Sequence, residues 1–168
     1  MRRLAILTSG GDCSGMNAAI RAAARTAVAN DVEMIGYHKG FAGLLKNDFQ
    51  VLDTRAVSGV LQRGGTFLQS ARSQEFRTTE GRQKALDNLM KERVEGLIVI
   101  GGDGSLNGAL ALDRMGFRTI GIPASIDNDI PYTDLALGLD TALHKIILGV
   151  ACSKDAASSH HRPLLLQG

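Results

Sequence analysis

The chain has no tryptophan, two tyrosines, five phenylalanines, three prolines and two cysteines in 168 residues. With aromatics at 4%, it lacks the stacking platforms that hold single-stranded nucleic acid, and 19 basic against 17 acidic residues make no cationic surface for a phosphate backbone. Nucleic acid is therefore not an expected partner. Cys13 and Cys152 stand too far apart for a metal or dithiol spacing, so neither zinc nor a disulfide framework is expected. No apolar run approaches the ~18 residues of a membrane span, and Leu4 to Leu7 is shorter than the apolar core of a signal peptide. A soluble, cytoplasmic protein without a membrane partner is expected. Disorder is excluded as well, because 44% of residues are hydrophobic and the net charge is only +2.

Glycine is what the chain has in excess: 20 of 168 residues, against roughly 7% in average usage. The glycines cluster where one pattern gives way to another. Arg3 to Thr8 is an apolar run stopped by Ser9-Gly10-Gly11-Asp12, and an alanine-rich helix follows from Met16 to about Ala29. Glu33 to Tyr37 is a second strand, followed by a loop at Lys39-Gly40. A weaker helical stretch is expected from Ala56 to Gln62, then a turn at Arg63-Gly64-Gly65-Thr66. The spacing of Ala85, Leu86, Leu89 and Met90 predicts an amphipathic helix over 79–93. Gly96 to Ile100 reads as a buried strand running into Gly101-Gly102-Asp103-Gly104-Ser105, with a helix from Leu106 to Met115. Thr119 to Ile122 is a fourth strand ending at Pro123, and a helix is expected from Leu139 to about Ala156.

Strands alternating with helices imply parallel crossovers, and continuously apolar strands imply a sheet covered on both faces. The expected fold is α/β, a doubly wound and mostly parallel sheet. In such folds ligands bind outside the carboxyl ends of the strands, so the loops from Ser9, Gly101 and Pro123 should line one crevice.

Glycines between strand and helix let backbone approach a ligand, and the free N–H groups of a helix start attract phosphate. Neither glycine loop is followed by Gly-Lys-Ser/Thr, and neither has the six-residue dinucleotide fingerprint. Singly, each is a tight turn or a phosphate site; two at adjacent strand ends favour phosphate. The third loop, Pro123 to Ile130, adds Asp127, Asn128 and Asp129. One aspartate can accept a proton from a hydroxyl, and the other, with Asp103, can hold Mg2+ on phosphates. Such residues also occur in ordinary turns, bonded to their own backbone. Arg63, Arg72 and Arg162 are candidates to clamp phosphate. His160 and His161 read as exposed residues at a helix end.

The strings LTSGGDCSGMNAAIR, QRGGTFLQSAR, VIGGDGS and PASIDNDIPYTDLALGLDTAL, in this order, resemble the first half of the bacterial ATP-dependent 6-phosphofructokinases, from about Arg3 to Arg162. The resemblance implies transfer of the γ-phosphoryl of ATP to the 1-hydroxyl of fructose 6-phosphate. It places Gly11, Arg72, Ser73, Gly102, Asp103, Gly104 and Ser105 at the nucleotide, with Asp103 on Mg2+. It makes Asp127 the base, with Ser125 and Ile126 beside the sugar, Asp129 placing the metal or the transferring group, and Arg72 also catalytic. Arg162 would reach the sugar 6-phosphate of a neighbouring subunit, so a homotetramer with shared sites is implied. Residues 1–138 would form a nucleotide-binding domain, and 139–168 would begin a second domain for substrate and regulation.

Some positions depart from the family pattern. Pyrophosphate-dependent members carry Asp and Lys where this chain has Gly104 and Ala124; the small residues leave room for a nucleotide, so ATP is the expected donor. Ser125 keeps the hydroxyl of the usual Thr. An effector site is implied through Arg21, Arg25 and Lys154, with Lys154 in place of an Arg, Thr54 before Arg55, and Gly59 where Asp is usual. Leu164 to Leu166 reads as the next buried strand, and the family continues with a Met-Gly-Arg segment. The alternative expectation is a truncated fragment that binds nucleotide or assembles without catalysis.

Overall fold

The computed structural model describes residues 2–159, with the backbone alone at 155–157. The elements run β1 (Arg2–Ser9), α1 (Met16–Ala29), β2 (Val32–Tyr37), α2 (Phe41–Lys46), β3 (Phe49–Val51), a 3-10 turn (Glu75–Arg77), α3 (Thr79–Lys91), β4 (Gly96–Gly101), α4 (Asp103–Arg114), β5 (Thr119–Ser125), β6 (Leu137–Gly138) and α5 (Leu139–Ser159). The strands form one sheet in the order β3-β2-β1-β4-β5-β6. All neighbours are parallel except β2 and β3. The expected doubly wound, mostly parallel sheet is present.

Strand alternation sends successive side chains to opposite faces and so builds two cores. Ala5, Leu7, Ile35, Tyr37, Leu97 and Val99 pack beneath α2, α3 and α4. Ile6, Met34 and Ile100 pack beneath α1 and the segment between Leu52 and Leu68. On α1, the buried face is Met16, Ile20, Ala24 and Ala27, spaced four, four and three, and the small alanines let the helix lie close to the sheet. Thr78 caps α3, its hydroxyl accepting from Gly81 N–H at 3.0 Å.

Several expected elements differ in extent. Ala56 to Gln62 forms turns instead of a helix. Gly59 has φ +67°, which stops the helical path, and Arg21 takes the Val57 carbonyl at 2.7 Å. The helix placed at Leu106 begins three residues earlier, at Asp103, directly after β4. β5 continues through Pro123 to Ser125: Pro123 is the last residue in register with β4 and Ala124 the first in register with β6. The missing proline N–H therefore falls at the changeover between partners. α2, β3, β6 and the 3-10 turn, all short, are additional to the elements expected from the sequence. His160, His161, Arg162 and the apolar run at 164–166 lie outside the described residues.

Candidate active site

The strand order reverses between β1 and β4, whose chains leave to helices on opposite faces of the sheet. That divergence opens a crevice at the carboxyl ends of the two strands. The Ser9–Asp12 loop leaves β1 there, and Gly102 leads from β4 straight into α4. The two approach closely: a Cβ on Gly101 would meet the Ser9 carbonyl oxygen and Ser105, and one on Gly10 would lie 3.3 Å from Ser105 Oγ. Glycine at 101 is therefore what lets the two turns sit side by side.

A cleft of about 800 Å³ fills this position. It is lined by Gly11, Arg72, Ser73, Gly102, Asp103, Gly104, Ser105, Ser125, Ile126, Asp127 and Asp129, which come from four separate segments. Gly102 to Ser105 form the start of α4, where unpaired backbone N–H groups and the positive end of the helix dipole favour an anion. Asn107 orients Asp103, its amide donating to the carboxylate at 3.0 Å and to the backbone carbonyl at 3.1 Å.

The β5–β6 loop is braced by its own polar groups. Asn128, with φ +50°, donates to the Asp134 carbonyl at 3.3 Å and accepts from Ala136 N–H at 2.9 Å. Its amide thus faces the loop, not the cleft edge where the sequence pattern placed it beside the two carboxylates. Ser125 Oγ donates to Asp129 at 3.3 Å and accepts from Asp127 N–H at 3.2 Å. The hairpin of bonds leaves the Asp127 and Asp129 carboxylates exposed to the cleft.

Other expected residues fall elsewhere. Arg63 is not among the lining residues; its carbonyl accepts from Asn17. Arg21 lies on α1 against Val57, Arg25 is exposed one turn further along, and Lys154 is exposed on α5. None of these three lines the cleft.

The cleft also contains residues that sequence reasoning missed. Phe41 and Phe76 stack with ring centroids 3.9 Å apart, and a Cβ on Gly108 would come within 2.9 Å of Phe41. Arg77 and Arg82 follow in the same wall, and Arg82 Nε is a buried donor without a hydrogen-bond partner. The i, i+4 spacing of Gly104 and Gly108 was the one available signal, since it leaves one face of the first turns of α4 without side chains.

Cys13 lies below the first glycine loop, its thiol donating to the Leu137 carbonyl at 3.1 Å. Burial, and after it the Asp12 charge, push this thiol above its ordinary pKa.

Fold and cleft together define a doubly wound α/β protein with its ligand site at the strand-order switch and a glycine-lined helix start facing it. The phosphofructokinase family profile matches residues 3–167, and the chain belongs to that family. It is 49% identical over 167 residues to an ATP-dependent 6-phosphofructokinase of Brevibacillus brevis, covering 99% of this chain and 52% of the relative. The corresponding figures for the Enterococcus faecalis enzyme of the same name are 50%, 99% and 52%. Among solved structures, phosphofructokinase from Saccharomyces cerevisiae superposes with a TM-score of 0.88 at 34% identity, over 95% of this chain and 25% of that one. The chain thus spans about half the length of the curated relatives it matches.

Proposed function

We propose that the protein carrying this chain transfers the γ-phosphoryl group of ATP to the 1-hydroxyl of fructose 6-phosphate, giving fructose 1,6-bisphosphate and ADP. The observation that carries this reading is the convergence of two glycine loops, Arg72 and the Asp127/Asp129 loop on one cleft. Phosphoryl transfer asks a protein for positioning and charge stabilisation, and these residue types supply both.

Gly11 and residues 102–105 hold the phosphate chain through backbone N–H groups. Arg72 and Ser73 bind from the opposite wall, and the Arg72 guanidinium stabilises charge on the transferring group. Asp127 accepts the proton of the sugar hydroxyl as its oxygen bonds to the γ-phosphorus; the bond from that phosphorus to the β–γ bridging oxygen breaks, and ADP leaves. Ser125 and Ile126 position the sugar beside Asp127. Phe41, Phe76 and Gly108 form the flat, apolar part of the cleft suited to a base. The small Gly104 and Ala124 leave the phosphate end open, which favours ATP over pyrophosphate.

Asp103 and Asp129 fit Mg2+, which takes one or two carboxylates and completes its shell with phosphate oxygens and water. Among the described residues no group of three or more potential ligands is gathered to hold a metal. When bound, Mg2+ neutralises charge on the β and γ oxygens.

Residues 1–138 act as the nucleotide-binding domain and 139–168 begin the substrate and regulatory domain. The protein is cytoplasmic and a homotetramer, with Arg162 serving a neighbouring subunit's sugar phosphate. Arg21, Arg25 and Lys154 lie away from the cleft, as an effector site would. No helix among the described residues is long and apolar enough to cross a membrane.

A second reading is favoured by the span of about half the relatives: these 168 residues bind nucleotide without turning over sugar. Assay of fructose 1,6-bisphosphate formation separates the two. The full gene product should form it with Mg-ATP and not with Mg-pyrophosphate, while the 168-residue chain alone forms little. Absence of product from the full gene product overturns the kinase reading; turnover by the short chain at the full rate overturns the second.

A further inference from the structure

Residues 63–73 cross the end of β1 without any helix or strand and deliver Arg72 to the cleft. Two buried polar side chains tie this strap down. Thr8, 0% exposed near the end of β1, donates its hydroxyl proton to the Gln69 carbonyl at 2.8 Å. Its oxygen lies 2.9 Å from Thr66 Oγ1, and since the Thr8 proton is committed, Thr66 is the donor. Asn17, 2% exposed in the first turn of α1, donates to the Arg63 carbonyl at 3.1 Å and accepts from Phe67 N–H at 2.9 Å. The strap also touches the first glycine loop, where a Cβ on Gly65 would stand 2.8 Å from Asp12 Oδ2. Gln69, at φ +62°, holds the left-handed backbone three residues before Arg72, next to its bond from Thr8.

A hydroxyl and an amide at these places carry no packing advantage over valine and leucine, and burying them is costly unless every bond is made. All the bonds go to a segment some fifty residues away that ends in the cleft. We propose that Thr8 and Asn17 are positioning residues, fastening the strap to β1 and α1 so that Arg72 is held at the phosphate end of the cleft. This rests on the proposed nucleotide site. It adds that one strand end, β1, sets both walls: its glycine loop directly, and Arg72 through Thr8.

The test uses the full gene product with Thr8→Val, Thr8→Ser and Asn17→Ala, each also combined with Arg72→Ala. Thr8→Val keeps the shape and removes the hydroxyl; Thr8→Ser restores it. Backbone amide exchange over residues 64–72 should rise in Thr8→Val and Asn17→Ala and stay at the wild-type level in Thr8→Ser. Catalytic efficiency for Mg-ATP should fall about tenfold or more in Thr8→Val, which removes both hydrogen bonds of the hydroxyl, and recover in Thr8→Ser. With Arg72→Ala present, the Thr8→Val loss should vanish, because the residue it positions is gone. A merely structural role moves stability alike in both backgrounds and gives additive effects. Unchanged exchange in Thr8→Val and Asn17→Ala overturns the proposal whatever the activity, as does an additive cycle. If the wild type binds Mg-ATP yet makes no product, the kinase reading fails while the cycle, read on Mg-ATP affinity, still decides the strap.

Discussion

Cys13 and Cys152 differ in setting more than in chemistry. Cys13 is 7% exposed, bonded to the Leu137 carbonyl and raised in pKa, whereas Cys152 is exposed on α5. A higher pKa leaves less thiolate at a given pH, so iodoacetamide at neutral pH should modify Cys152 first and Cys13 only as pH rises or the protein unfolds. Peptide mapping by mass spectrometry reads the order directly; equal labelling of both would contradict the buried placement of Cys13. The same shift means the folded state holds the Cys13 proton more tightly, a stabilising contribution complete below the unfolded pKa and lost as pH rises through the folded one. At this scale the sequence was legible where a residue type and a turn coincide: Gly11, Asp103, Asp127 and Asp129 stand in loops between patterned segments, and all line the cleft. Phe41, Phe76 and Arg82 were not, because their meaning is a meeting of α2, the 3-10 turn and α3 that no local pattern encodes. Asn128 was half legible: its loop was identified, but its amide braces that loop instead of facing the cleft.

The elements depend on a few local devices. Removing the Thr78 hydroxyl in Thr78→Ala should cost about 1 kcal/mol through the lost cap on α3, measured by urea unfolding. Gly101→Ala is the harsher change, because the new methyl would meet the Ser9 carbonyl oxygen and Ser105 where β1 and β4 end together. It should cost about 3 kcal/mol, the upper end of overpacking penalties, and weaken nucleotide binding with stability. An unchanged unfolding midpoint would contradict the close approach of the two loops. Element type was readable for β1, α1, β4 and α3, whose apolar spacing persists over two or more turns or a whole strand. β3 and β6, three and two residues long, are too short for any period to register. The weaker helical stretch expected from Ala56 to Gln62 was misleading, because Gly59 at φ +67° breaks the path and leaves Val57 and Val60 buried from irregular backbone.

Across the whole molecule, the reversal of strand order between β1 and β4 makes the cleft, and β5 brings the carboxylates to its rim. Leu97, 1% exposed and the second residue of β4, packs in the core under α3 and α4. Leu97→Ala should therefore lose about 2 to 5 kcal/mol of folding stability, seen as a lower urea midpoint at unchanged m-value. The parallel direction of the strands was implied by their alternation with helices, since parallel neighbours need crossovers, whereas their order was not. The antiparallel edge at β3 was not, because it follows from a short turn after α2. Catalysis is the molecule-scale claim, because Asp127 acts only if β1, β4 and β5 place their loops together. Comparison of Asp127→Asn with wild type in the full gene product, measuring both fructose 1,6-bisphosphate formation and Mg-ATP affinity, tests it most directly. The account predicts a rate lower by about 10²- to 10⁴-fold, the usual worth of a general base, with Mg-ATP affinity nearly unchanged. An undiminished rate, or a loss explained wholly by weaker Mg-ATP binding, would contradict it.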